Sequence, residues 1–261
     1  MHGKYYTTAV KPNIDIKGNV EIAIGDVIFD WTPFEIPNGT AKLESLVIKI
    51  AGTNGADVAG SRDIELYFAK SIDAGAPPTL GDTGDAITGV IAQQSRPYIL
   101  DVCMNDGSAM RSSAHFISYN IWSTSQKRGN DLDDTKTLLF NDDIYPGTTP
   151  GYQTIWVAAV AETAEFDFGT EVALNQAGHQ AISATAVDLV TSGTDPRLVF
   201  AVGDEVVSFV ASDGSSPKQI GKVVSMADNV SLKVDAVAEA FNHTTEICMR
   251  NPIKLRLNFS Y

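Results

Sequence analysis

The stretch "VGDEVVSFVASDGSSPKQIGKVVSMADNVSLKVDAVAEAF", residues 202–241, decides how the chain is divided. "GDEVVSFVA" reads as a strand opening at a Gly-Asp turn, "SDGSSPK" as a turn, "QIGKVVSMA" as a second strand, "DN" as a tight turn and "VSLKVDA" as a third strand. Short strands joined by tight turns make a meander that curls into a small barrel. After it, "EICMRNPIKLRLNFSY" resumes a long alternation, with Ile253, Leu255, Leu257 and Phe259 on one face and Lys254, Arg256 and Asn258 on the other. A closing strand of that length belongs to a larger sheet. The barrel is therefore expected as an insert, residues 163–245, within a sheet-forming region made of 20–162 and 246–261.

Working outward, the same period of two recurs upstream. "LESLVIKIAG" sets Leu46, Ile48 and Ile50 against Val47 and Lys49, and "RDIELYFAKS" sets Ile64, Leu66 and Phe68 against Glu65 and Tyr67. "VEIAIGDVIFDW" alternates through Val20, Ile22 and Ile24, slips by one at Gly25-Asp26 as a bulge or short turn would, and resumes at Val27, Phe29 and Trp31. "PYILDVCM", "AHFISYNIWSTS" and "YQTIWVAAVAE" are further strands, the second bulky on both faces and so expected to be covered on both. "TPFEIPNGTAK", with Pro33, Pro37 and Asn38-Gly39, reads as a turn-rich connector. Residues 1–19 read as an extended N-terminal arm carrying Tyr5, Tyr6 and Pro12. Helical stripes are short; the best is "DAVAEAF", Asp235 to Phe241, and the loop "DAGAPPTLGDTGDAITGV" has room for one turn. The fold class is all-β: an antiparallel, jelly-roll-like β-sandwich with an inserted small β-barrel.

Composition narrows the function. Nineteen Lys and Arg against 32 Asp and Glu leave a net charge of −13, which repels phosphate backbones and argues against a nucleic-acid partner. The longest basic cluster is Lys127-Arg128. No run of 18 apolar residues offers a membrane span, and "MHGKYYTTAVKPNIDIKG" lacks the apolar centre of a signal peptide, so synthesis in a cytosol is expected. The two cysteines, Cys103 and Cys248, sit in separate apolar strands and read as buried free thiols, with a disulfide as the alternative.

No catalytic motif is present in the sequence. His2, His115, His179 and His243 show no HExxH or other i, i+4 ligand pair, no G-x-S-x-G surrounds a serine, and Ser215-Ser216 lies in a turn. Gly52–Gly55 and Gly81–Gly84 are glycine-rich, but neither reads as leading into a helix whose N-terminus could hold phosphate. Asn130, Asp131, Asp133 and Asp134, followed by "NDD" at 141–143, lack the spacing and terminal Glu of a calcium loop and read as a solvated acidic loop. Trp31, Trp122 and Trp156 lie in apolar runs, as core residues do, although two or three exposed together would suit a carbohydrate. No catalytic, cofactor-binding or metal-binding residue is assigned.

The order "AKLESLVIKIAG", "RDIELYFAKSID", "LGDTGDAITG", "TIWVAAVAE" and "IKLRLNFSY" resembles a β-sandwich of tailed-phage virion proteins. The stretch "VGDEVVSFVASDGSSPKQIGKVVSMADNVSLKVDA" is similar to small barrels that recur as inserts in phage structural proteins. The resemblance implies a capsid decoration (cement) protein without enzymatic activity, found in the virion. Its partner would be the major capsid protein and its assembled form a trimer or dimer. A tail or fibre component and a carbohydrate-binding sandwich are the alternatives.

Overall fold

The computed structural model describes residues 4–14, 22–51, 63–104, 110–113, 116–121, 138–139, 149–162, 172–175, 178, 180–209, 218–241 and 246–261. The all-β expectation holds: among the described residues sixteen strands and two short helices run in the order β1 (Tyr5–Val10), β2 (Val27–Pro37), β3 (Ala41–Ala51), β4 (Ile64–Ala69), α1 (Gly89–Ser95), β5 (Ile99–Met104), β6 (Met110–Ser113), β7 (Phe116–Ile121), β8 (Leu138–Leu139), β9 (Tyr152–Ala161), β10 (Val172–Leu174), β11 (Val187–Ser192), α2 (Pro196–Val199), β12 (Glu205–Phe209), β13 (Gln219–Ser225), β14 (Ser231–Val234), β15 (Glu246–Met249) and β16 (Ile253–Ser260). They form a six-stranded sheet ordered β1-β16-β3-β7-β6 with β8 added on β3, a four-stranded sheet ordered β2-β9-β4-β5, and a closed barrel ordered β10-β11-β14-β13-β12-β15.

One buried cluster is shared by the two open sheets. It takes Leu43, Leu46, Ile48 and Ile50 from β3, Leu255, Leu257 and Phe259 from β16, Phe34 and Ile36 from β2, Leu66 and Phe68 from β4, and Ile155, Val157 and Ala159 from β9. The rings of Phe34 and Phe259 lie nearly parallel across the two sheets, centroids 6.2 Å apart, and Phe68 meets Phe34 edge-on. On β9 both faces are buried: the second is closed by Val27 and Leu80, with Trp31, Ile87 and Ile91 packed beside them. The indole of Trp31 donates to the Pro78 carbonyl at 2.9 Å. The barrel has its own cluster, including Leu189, Phe200, Val206, Ile220, Leu232 and Ile247. A side chain at Gly221 would collide with the Ala236 carbonyl, so the close approach of chain there requires glycine.

Several segments depart from the reading of the sequence. Tyr5–Val10 is no free arm: it pairs antiparallel with β16 from Tyr5↔Ser260 to Val10↔Leu255. Its burial alternates, with Tyr6, Thr8 and Val10 turned inward, a pattern that threonine at two of the six positions hides from a hydrophobicity count. The connector "TPFEIP" is strand. β2 runs through Pro33 and Pro37 because it is a sheet edge, where a residue without N–H costs no ladder bond; the turn comes only at Asn38-Gly39, with Gly39 at φ +107°. Residues 246–249, expected to rejoin the sheet, form β15 and close the barrel against β10 and β12. "DAVAEAF" is not helical. Val237 and Phe241 have helical spacing but bury themselves through isolated bridges to Ser183 and Gln180. Helix α1 begins at Gly89, one residue after Thr88, whose Oγ1 accepts the Ile91 amide. At Gly25-Asp26 the expected turn is present, with Gly25 at φ +86° and Asp26 accepting the Ala23 amide.

Candidate functional site

The return from barrel to sheet is an elbow at Arg250–Pro252. Asn251 is buried, and its Nδ2 donates to the carbonyl of Pro12 at 2.7 Å and to Oδ1 of Asn13 at 3.1 Å. The Ile14 amide donates to the Arg250 carbonyl, and the Ala51 amide to the Pro252 carbonyl. Pro252 has no N–H to offer a ladder, which is why "EICMRNPIKLRLNFSY" is two strands and not one.

Beside the elbow lies a cleft of about 500 Å³ between β3 and β16 on one side and the segment from Arg197 to Asp204 on the other. Its floor is apolar: Ile50, Val199, Phe200 and Met249 are buried there. The local sequence builds that wall for clear reasons. Asp195 caps α2 by accepting the Arg197 amide at 2.9 Å, and Pro196 occupies the first helical position, where a missing N–H costs nothing. The single turn then presents Val199 and Phe200 to the barrel core and leaves Leu198 exposed at the cleft.

The rim is cationic. Lys49 of β3 and Lys254 of β16 are directly opposed in the antiparallel register. Two like charges in that position repel. Lys254 reaches across to the barrel and pairs with Asp204 at 2.7 Å, and the second oxygen of Asp204 accepts the Ala201 amide at 2.8 Å. Asp204 is buried and Lys254 is not, so the pair fixes the barrel on the sheet more than a pair between two exposed side chains would. Arg197 is held by Asp195 at 2.6 Å. That hydrogen bond draws the Asp195 carboxyl below its ordinary range and raises the guanidinium of Arg197. Lys49 has no ion-pair partner among the described residues.

Most of the residues weighed for chemistry in the sequence do not meet here. All four histidines, Ser215-Ser216, Gly52–Gly55, Lys127-Arg128, Trp122 and the acidic positions 130–134 and 141–143 lie outside the described residues. Gly81–Gly84 does precede a helix, contrary to the expectation, but three of its four amides are already engaged. Gly84 donates to the Val27 carbonyl, Asp82 to Asp85 and Gly81 to Thr79. Trp156 is buried and Trp31 half-buried, each within a packed cluster or sheet. Cys103 and Cys248 are buried and not joined in a disulfide. Burial pushes the Cys103 thiol up to about 12, with the neighbouring Asp101 charge adding to it. Among the described residues no cluster of His, Cys, Asp and Glu could hold a metal ion, and no helix is long and apolar enough to cross a membrane.

No family model and no curated protein matches the chain. Among solved structures, the crystal structure of the STIV major capsid protein aligns over 99% of this chain and 96% of that one, at 10% identity and a TM-score of 0.14. A similarity this slight carries no argument about fold or function.

Proposed function

We propose that the chain is a non-enzymatic structural protein of a tailed-phage particle, decorating and stabilising the outer capsid surface. Its partner is the major capsid protein, its assembled form a trimer or dimer, and its location the virion. The observation that carries this reading is the closed six-stranded barrel placed between β9 and β16. That is where the sequence phrases "GDEVV", "IGKVV" and "SLKV" are similar to barrels inserted in phage structural proteins. The two open sheets around one cluster are read as a jelly-roll-like β-sandwich, supported by the Phe34–Phe259 contact.

The physical logic is mass action. A protein that binds only the assembled lattice stabilises it by RT ln(1 + [L]/Kd) at each site, and a shell repeats the site many times. A net charge of −13 suits an exterior surface, where packaged nucleic acid is not a competing partner. The test is co-sedimentation with empty capsids, beside unassembled capsid protein as control. Saturable binding to the shell alone is expected. Absence of binding to either, or a positive glycan array, would replace the reading with a tail component or a carbohydrate-binding module.

A further inference from the structure

The cleft beside the elbow has a composition at odds with the rest of the chain. Of 19 basic residues against 32 acidic ones, Lys49, Arg197 and Lys254 gather at one apolar-floored opening, and Asp204 is the one acid among its lining residues. Asp204 answers Lys254 and Asp195 answers Arg197. Lys49 remains, set directly opposite Lys254 on the neighbouring strand. An opposed lysine pair is a destabilising arrangement that an anion between the two would relieve. The cleft's volume of about 500 Å³ falls within the range of about 300–1,000 Å³ usual for small-molecule sites, which are typically apolar with a few placed polar groups.

We propose that this cleft binds an amphipathic anion, an aliphatic chain ending in a carboxylate. The carboxylate sits on Lys49 and Lys254 with Arg197 at the rim, and the chain lies over Val199, Phe200 and Met249. The lining residues come from both the six-stranded sheet and the barrel, so occupancy also strengthens the hold of one on the other. The inference is independent of the particle role proposed above, because it rests only on the cleft.

The test uses the full chain with decanoate, decylamine and acetate as probes, read by isothermal titration calorimetry, thermal shift and amide chemical shifts. Decanoate is expected to bind, to raise the melting temperature and to move the amides of Ala51 and Leu198. Decylamine, with the opposite head charge, and acetate, with no chain, are expected to bind at least about tenfold more weakly. In Lys49→Glu a carboxylate stands permanently where the ligand's head would sit. That variant is expected to melt higher than the native protein without ligand, since the introduced carboxylate would oppose Lys254, and to lose decanoate affinity by about tenfold or more. The conservative Lys49→Arg should retain binding. Equal responses to decanoate and decylamine, no response to decanoate, or undiminished affinity in Lys49→Glu would each overturn the proposal.

Discussion

A double-mutant cycle on Phe34 and Phe259 asks whether the two open sheets share one core. Phe34 is 6% exposed on β2 of the four-stranded sheet, and Phe259 is fully buried on β16 of the six-stranded sheet. Their rings stack 6.2 Å apart at 14°. Phe→Ala at either position would cost about 3–5 kcal/mol. Two such losses would consume most of the about 5–15 kcal/mol available to a domain, so leucine is the better replacement. Each single Phe→Leu variant is expected to lose on the order of 1–2 kcal/mol from reduced burial. The stacked pair adds about 0.5–1.5 kcal/mol beyond area, and this amount should appear as coupling in the cycle. Urea unfolding followed by tryptophan fluorescence is the assay. Trp31 on β2 and Trp156 on β9 report on the four-stranded sheet, and residues 172–249, the span that holds the barrel strands, contain no tryptophan. The pair Phe34 and Phe68, on two strands of one sheet and edge-on at 6.3 Å, is the internal control. Coupling in the control with none between Phe34 and Phe259 would refute a shared core.

Removing residues 2–14 deletes β1 and the buried side chains of Val10 and Ile14, each worth about 1.5–3 kcal/mol, so differential scanning fluorimetry should show a marked fall in melting temperature; an unchanged melt would mean that the segment is a dispensable arm. Excising 172–249 with a Gly/Ser bridge should leave one cooperative tryptophan-detected transition, because the cluster between the sheets takes no residue from that span; loss of cooperativity would contradict two separate cores. The Cys103 thiol, raised to about 12, should resist a thiol reagent at pH about 8.5 until denaturant is added, whereas rapid native labelling would contradict its burial. Its folded state holds the proton more tightly than the unfolded one, so the contribution of Cys103 to stability is present below the unfolded value of 9.0 and is lost as pH rises towards about 12, which alkaline melts would record.

The strands that the sequence shows most clearly are those whose apolar residues alternate without interruption. Leu46, Ile48 and Ile50 face the shared cluster, as do Ile64, Leu66 and Phe68, and Ile253, Leu255, Leu257 and Phe259. What escaped was decided by partners distant in sequence. Tyr5–Val10 becomes strand because β16, some 250 positions away, offers an edge. Pro33 and Pro37 stay in a strand because topology puts β2 outermost. Glu246–Met249 looks continuous with β16 until the elbow at Asn251-Pro252 turns the chain, and nothing local announces that Asn251 will be anchored by Pro12. The cleft was invisible for the same reason. Lys49 and Lys254 each read as an ordinary outward position in an alternating strand, and only the register between β3 and β16 sets them face to face.

The most direct test of a decoration role is a cryo-electron microscopy map of the purified particle with the chain's copy number measured by quantitative mass spectrometry. A decorating protein predicts density for a six-stranded barrel beside two sheets, repeated over the outer face of the shell lattice in proportion to the major capsid protein. Density confined to the tail at a few copies, or a particle without the chain, would contradict it.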